Sequence, residues 1–513
     1  MSKLNSRQKA LLVLCFFVLL KFLLQYLLIN PVYDLHRDEY LHLDQGNHLA
    51  WGFISVPPFT SWISYLIIAF GNSVFWVKFF PALFGALTMV GVWFIIDELK
   101  GGLYAQILAA TALTFTVLLR INILYQPNSF DILSYTLIYF SFLKYIHTQN
   151  KKWLYWCAFF FALGFLNKYN VLFLIAGLVS AILVSEHRKL FLNKALYGAA
   201  ALALILITPN LIWQYQNGFP VVYHMKELAA TQLVNVDRKD FLIQQLLFFF
   251  TSFFVILAAF VGFFLYPPFK KYRVIGWSYL FTLLIFVYLK AKGYYAIGLY
   301  PVLIAFGSVY IEKWLREGKK YYIRPVLIAV IVGFFLPLIT VILPVLSPQA
   351  IQKKSEKFKS LGLLKWEDGK EHILPQDFAD MLGWKEMAQK VMQVYDSLPD
   401  KNETLIIANN YGQAGAINYY SKNKLQAVSF NADYINWFPK NRIIKNVIRI
   451  KDEDEGINDE ERGLFKHLYY KGQVENKFAR EYGTKIFLFT DGVDTLTQFI
   501  DHKISEAKSR FHH

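Results

Sequence analysis

The chain has 513 residues, 55% of them hydrophobic, 18% aromatic and 18% charged, against about 25% charged in an average soluble domain. A mean hydropathy of +0.33 and repeated long apolar runs exclude an all-soluble enzyme and a disordered chain. The net charge of +16 comes from 53 Lys and Arg against 37 Asp and Glu. Up to Ser347 there are 28 basic and 13 acidic residues, and from Pro348 onward 25 and 24. The surplus thus lies in the apolar part, as positive-inside loops require, and not in a soluble nucleic-acid-binding face.

The first apolar run, 10–29, follows Lys3, Arg7 and Lys9 and carries no small-residue cleavage pattern after it. It reads as an uncleaved helix with a cytoplasmic N-terminus. Further runs near the roughly 20 residues needed for a span occupy 74–96, 103–119, 128–146, 153–167, 170–186, 194–212, 243–266, 273–289, 294–312 and 323–346. The short run 59–70 reads as an interfacial or re-entrant helix. The fold class is therefore a mainly α-helical polytopic membrane protein of about 11 to 13 spans, with a C-terminal soluble α/β domain. Cys15 and Cys157 lie inside apolar segments and read as small buried hydrophobes.

Alternate loops differ in charge. The proposed inner set holds Lys100, Lys151, Lys152, Arg188, Lys189, Lys194, Lys270, Lys271, Arg273, Lys313, Arg316, Lys319, Lys320 and Arg324, besides the N-terminal three. The outer set holds only Arg37, Arg120, Lys168, Lys226, Arg238, Lys239, Lys290 and Lys292. An odd number of spans then puts the C-terminal part outside. The expected division is a transmembrane catalytic domain, 1–346, with its first external loop at 31–73, and an extracytoplasmic domain, 347–513. Thr404–Ala408 and Lys485–Thr490 read as short buried strands, and Trp384–Leu398 as an amphipathic helix stopped by Pro399.

The first external loop concentrates Asp34, His36, Asp38, Glu39, His42, Asp44 and His48 directly after a span. Ionisable groups at membrane depth are costly and are functional candidates by default. The histidines follow no recognised metal spacing, and no metal or cofactor is expected. Lys168, Lys290 and Lys292 depart from the inward bias of basic residues, so they are candidates for holding a lipid phosphate; Arg120 and Lys226 are weaker ones. Trp51, Trp62 and Trp213 read as interfacial belt.

Asp38-Glu39-Tyr40, then Leu49–Gly52 and Pro57-Pro58, resemble the first external loop of family 39 glycosyltransferases, which include the protein O-mannosyltransferases and lipid A aminoarabinose transferases. The resemblance continues through Gln126–Asp131, Asn167-Lys168-Tyr169, Pro209-Asn210 with Trp213 and Asn217–Pro220, Lys290–Tyr295 with Tyr300-Pro301, Gly383-Trp384 and Asn410–Ala416. Val56 departs from it, standing where many members carry His or Lys. The resemblance implies a GT-C-type enzyme of the inner membrane. Such an enzyme moves one sugar from a polyprenyl-phosphate donor to an extracytoplasmic acceptor, by an inverting displacement without metal. It implies Asp38 as base, with Glu39 beside it. His36, His42 and Asp131 would contact acceptor or sugar, and Lys168, Lys290, Lys292 and Tyr294 the donor phosphate. Burial at the membrane boundary is expected to raise the Asp38 pKa. A transporter or lipid flippase is the alternative, although such proteins more often carry inverted repeats and interrupted midplane helices.

Overall fold

The structure, a computed structural model, describes residues 5–231, 233–316, 318–440 and 442–509. Lys3, and the outermost residues of both expected domains at 1–4 and 510–513, lie outside them. The chain forms two compact units. One comprises Met1–Leu28, Phe75–Ile212 and Glu227–Leu343, and the other Ile29–Val74, Trp213–Lys226 and Pro344–His513.

The first unit is helical. Five of its described helices are long and apolar enough to cross a membrane: Arg7–Leu27, Val74–Glu98, Lys194–Gln216, Gly293–Trp314 and Gly318–Ile342. Two bent pairs bring the number to seven, Val171–Val184 with Glu186–Leu192 at 108° and Arg238–Phe248 with Phe250–Leu265 at 62°. Every apolar run read from the sequence is helical, but several are short or broken. The run at 103–119, for example, becomes Leu103–Thr114 and Val117–Ile121. The helix Ser6–Leu27 reverses the pattern of a water-soluble helix. Leu11, Phe16, Leu19, Leu23 and Leu27 are exposed, while Lys21 and Gln25 are buried and Gln25 Nε2 donates to the Asn122 carbonyl. An apolar outer face with polar groups turned inward suits a lipid solvent. Cys15 lies on this outer face and is exposed, contrary to the expected burial, because most of the helix surface is turned outward; Cys157 is half-buried.

The second unit is built on a five-stranded sheet. Its strands are β1 (Thr404–Ala408), β2 (Ala427–Ser429), β3 (Asn446–Lys451), β4 (Phe465–Gln473) and β5 (Lys485–Gly492). They lie in the order β2-β1-β3-β5-β4. β1 pairs in parallel with β2 and β3, while β5 runs antiparallel to β3 and β4. β1 is buried along its whole length, which is why it reads as a continuous apolar run. The helix Trp384–Asp396 forms where the amphipathic pattern places it.

The first external loop belongs to the fold of this unit. Ile54 lies in the sheet's apolar core with Leu405, Ile407, Val428, Val447 and Phe489. The Ile54 N–H and Gln45 Nε2 donate to the two oxygens of Asp433 at 2.7 and 2.9 Å. Within the loop, Arg37–Gln45 forms a short helix, here the acidic helix. A capping box starts it: the Asp38 N–H donates to His36 Nδ1 and the His36 N–H to Glu39 Oε2. The helix Tyr411–Tyr420 packs along it, and glycine permits the contact. A Cβ at Gly415 would lie 2.8 Å from the Tyr40 Cβ and 3.0 Å from its backbone carbon, and one at Gly412 would lie 2.7 Å from the Arg37 Cγ. Tyr40 is wholly buried against Trp384, Tyr419 and Tyr420, with ring centroids 5.7 to 6.0 Å apart.

Two outcomes follow from this packing. Gly415→Ala is expected to destabilise the unit by about 1–3 kcal/mol through overpacking, read as a lower thermal unfolding midpoint. Gly456→Ala, with no atom within 4 Å of its added Cβ, is expected to cost far less, and equal losses would refute the close-approach argument. Burial pushes the Asp433 carboxyl up to about 6, against the hydrogen bonds from Ile54 and Gln45 that pull it down. A raised folded-state pKa gives stability that is complete below about pH 4 and lost as pH rises through 6. Relative to Asp433→Asn, the protein should therefore lose about 2–3 kcal/mol between pH 4 and 7, seen as a pH-dependent gap between the two unfolding midpoints.

Candidate functional site

Each unit gathers part of the expected set. In the second unit, Asp38 stands in the first turn of the acidic helix with its side chain 38% exposed. Tyr411 Oη donates to Asp38 Oδ1 at 2.7 Å, and the Arg37 guanidinium lies over the Tyr411 ring, 4.4 Å from its centroid. Because His36 Nδ1 accepts the Asp38 N–H, the imidazole proton resides on Nε2. Nε2 lies 3.8 Å from Asp380 Oδ2, and Asp380 in turn pairs with Arg480 at 3.1 Å. His42 is buried, with Nδ1 3.1 Å from Gln45 Oε1. Burial lowers its pKa, against the opposing effects of Gln45, Asp38 and Glu39.

The expected rise in the Asp38 pKa is reversed. Burial does push it upward, but His36, the Tyr411 hydroxyl, His42 and Arg37 together hold it below the ordinary carboxylate value. Three cationic or polarisable neighbours and one strong donor outweigh partial desolvation. Asp38 is thus an ionised carboxylate over the working range, with an exposed side. Glu39, wholly buried, is committed to the capping box. Asp34 and Asp44 also anchor the C-terminal part. Asp34 accepts from the Trp384 and Lys385 N–H groups and from Tyr420 Oη, and Asp44 accepts from Asn418 Nδ2 at 2.7 Å.

In the first unit, Lys168 caps the C-terminus of the helix Lys152–Asn167. Its Nζ donates to Asn128 Oδ1 at 2.8 Å and lies 5.0 and 4.4 Å from the ring centroids of Tyr294 and Tyr295. Asp131, buried in the first turn of Asn128–Thr148, accepts from Asn170 Nδ2 at 3.0 Å, and that amide also donates to the Tyr295 carbonyl. Asp131 attracts the Lys168 charge and Lys292 opposes it. Lys168, Asp131, Lys292 and Tyr294 therefore belong to one polar cluster, in which an anion could meet ammonium groups in a setting poor in water. Lys290 takes no part in these contacts. It is exposed at the end of Arg273–Tyr288, with φ +52°.

The sequence did not single out Tyr411, Asn128 or Asn170 as contacts. Asn128 and Tyr411 lay within family-like stretches, and Asn170 directly after one. Trp213, read as belt, packs over Gly52, and Trp51 meets Trp62 edge-on at 5.7 Å. Among the described residues, no group of three or more His, Cys, Asp or Glu is arranged to hold a metal ion.

Comparison with known proteins agrees with the motif resemblance. The family model for dolichyl-phosphate-mannose-protein mannosyltransferase matches residues 55–213. The lipid A galacturonosyltransferase RgtD of Rhizobium johnstonii is 22% identical over 212 residues, 40% of this chain and 44% of RgtD. The match therefore spans less than half the length of that relative. The crystal structure of ArnT from Cupriavidus metallidurans bound to undecaprenyl phosphate aligns with a TM-score of 0.61 at 13% identity, covering 93% of this chain and 97% of ArnT. The apo structure of the same protein gives 0.60 at 13% identity, covering 92% and 97%. The chain thus has the fold of ArnT over nearly its whole length, and residues 55–213 carry the sequence match to the mannosyltransferase model.

Proposed function

We propose that the protein transfers a single sugar from a polyprenyl-phosphate donor to an acceptor on the outer side of the inner membrane. The observation that carries the reading is Asp38: an ionised, part-exposed carboxylate in the family-like loop of a chain with the ArnT fold. The acceptor oxygen or nitrogen attacks the anomeric carbon, and its proton passes to Asp38. The bond from that carbon to the phosphate oxygen breaks, and its electron pair leaves with the lipid phosphate. A single displacement inverts the anomeric centre. Within the first unit, Lys168, Lys292 and Tyr294 make a cluster suited to binding a lipid phosphate. Asp131 keeps Lys168 in place, with Asn128 as its hydrogen-bond partner. His36 and Glu39 serve by fixing the start of the acidic helix, and no metal is called for.

With purified protein and radiolabelled polyprenyl-phosphate sugars, Asp38→Asn is expected to lower transfer by about 10²- to 10⁴-fold with little change in donor KM. An undiminished rate would remove Asp38 as the base. Lys168→Ala is expected to raise donor KM roughly tenfold, the loss of about one charged hydrogen bond. If the wild type exchanges labelled lipid across vesicle leaflets and consumes no donor from a broad panel, the flippase reading replaces this one. Sidedness has its own test, in a protein whose two cysteines are replaced by serine. Lys401→Cys should react with a membrane-impermeant maleimide in intact cells, and Lys152→Cys only after lysis. The reverse pattern would invert the proposed topology.

A further inference from the structure

We infer that Tyr411, on the C-terminal part of the chain, is the positioning residue of Asp38: its hydroxyl engages one carboxylate oxygen and helps to orient the carboxylate that takes the acceptor's proton. The inference rests on the reading of Asp38 as the base and deepens it by making the sheet-bearing part of the chain a component of the reaction.

The geometry gives Tyr411 little freedom. It is the first residue of its helix, directly after Asn410, whose side chain caps the Gln413 N–H at 3.1 Å. Its ring is covered by the Arg37 guanidinium, and the neighbouring Gly412 allows the Arg37 stem to approach. The Oη–Oδ1 distance of 2.7 Å is that of a strong O–H···O⁻ hydrogen bond. Burial and the Asp38 charge both push the Tyr411 hydroxyl pKa up, so it stays a donor throughout the working range. A carboxylate turning freely about its Cβ–Cγ bond would present either oxygen in many directions. A strong hydrogen bond at Oδ1 restricts that rotation, which is the preorganisation that proton transfer rewards. Among the groups facing Asp38 are His36, Arg37 and His42 on its own segment and Tyr411 from the packed helix. Asp380 and Glu481 face Arg37, and Arg480 faces Asp380.

The test is an infrared titration of the full chain in lipid nanodiscs between pH 2.5 and 7, beside transfer kinetics. The protonated-carboxyl band that is missing from Asp38→Asn marks Asp38. Tyr411→Phe removes a hydrogen bond to the ionised form, so the midpoint of that band should move up by about one unit. The kcat should fall roughly tenfold, with donor KM unchanged. A merely structural tyrosine would leave the midpoint where it is, and a midpoint coincident with wild type overturns the inference. Should Tyr411→Phe fail to fold, 3-fluorotyrosine at this position keeps the ring and strengthens the donor. The midpoint must then move down, and no movement is again a refutation. Full transfer by Asp38→Asn would overturn the catalytic reading and this inference together. A dead Asp38→Asn beside an unmoved Tyr411→Phe midpoint would overturn this inference alone.

Discussion

The organisation of the second unit depends on one contact, the packing of the helix Tyr411–Tyr420 along the acidic helix Arg37–Gln45. Two glycines bring the helices to a distance at which side chains from one reach the functional groups of the other. Tyr411 meets Asp38, Tyr420 meets Asp34 and Asn418 meets Asp44. A nine-residue helix with a capping box at one end is marginal by itself. Here it is held by burial of Tyr40, by hydrogen bonds to three of its carboxylates or their neighbours, and by Ile54 seated in the sheet core.

The electrostatics follow from that packing. A loop so rich in carboxylates would repel itself if its charges all faced inward without partners. Each acidic group of the loop, and Asp433 that meets it, instead has a distinct fate. Glu39 closes the helix start, Asp34 and Asp44 accept from the packed elements, and Asp433 lies deep enough for its charge to be costly. Asp38 combines a neighbouring guanidinium, two imidazoles, a strong donor and an exposed side. The residue with the chemical opportunity is thus set apart by its surroundings, since its residue type is shared with several neighbours.

Much of this was legible in the chain. Helices stand wherever apolar runs predicted them, although the acidic helix and the helix Tyr411–Tyr420 were not foreseen; β1 was visible as an unbroken apolar segment, and the family-like loop pointed to Asp38. What escaped has a common physical character. The Tyr411–Asp38 hydrogen bond joins residues 373 positions apart, and no periodicity or spacing encodes such a pairing. Ile54 looks like one more apolar residue in a loop until the sheet that surrounds it is known. The direction of the Asp38 shift was misjudged because burial can be guessed from sequence, whereas the cations that overrule it can be counted only in three dimensions. Cys15 was misplaced because the rule that small apolar residues lie inside a protein assumes water outside it. Lys168 was legible as an outward exception to the basic bias, but its pairing with Asn128 and the two tyrosine rings was not.

The separation between the two packed helices also sets an order of events in time. The acidic helix leaves the ribosome 373 residues before the tyrosine that meets its aspartate. At typical synthesis speeds of 5–20 residues per second this is an interval of roughly 20–75 s. Throughout it the nascent loop lacks the Tyr411 hydroxyl at Asp38, the Tyr420 hydroxyl at Asp34 and the Asn418 amide at Asp44. A chain halted between residues 343 and 410 carries every span of the first unit, yet its acidic helix lacks the helix Tyr411–Tyr420 that packs along it. The Asp38–Tyr411 contact therefore forms only after the spans have been made, and synthesis of this helix is the event that arms it.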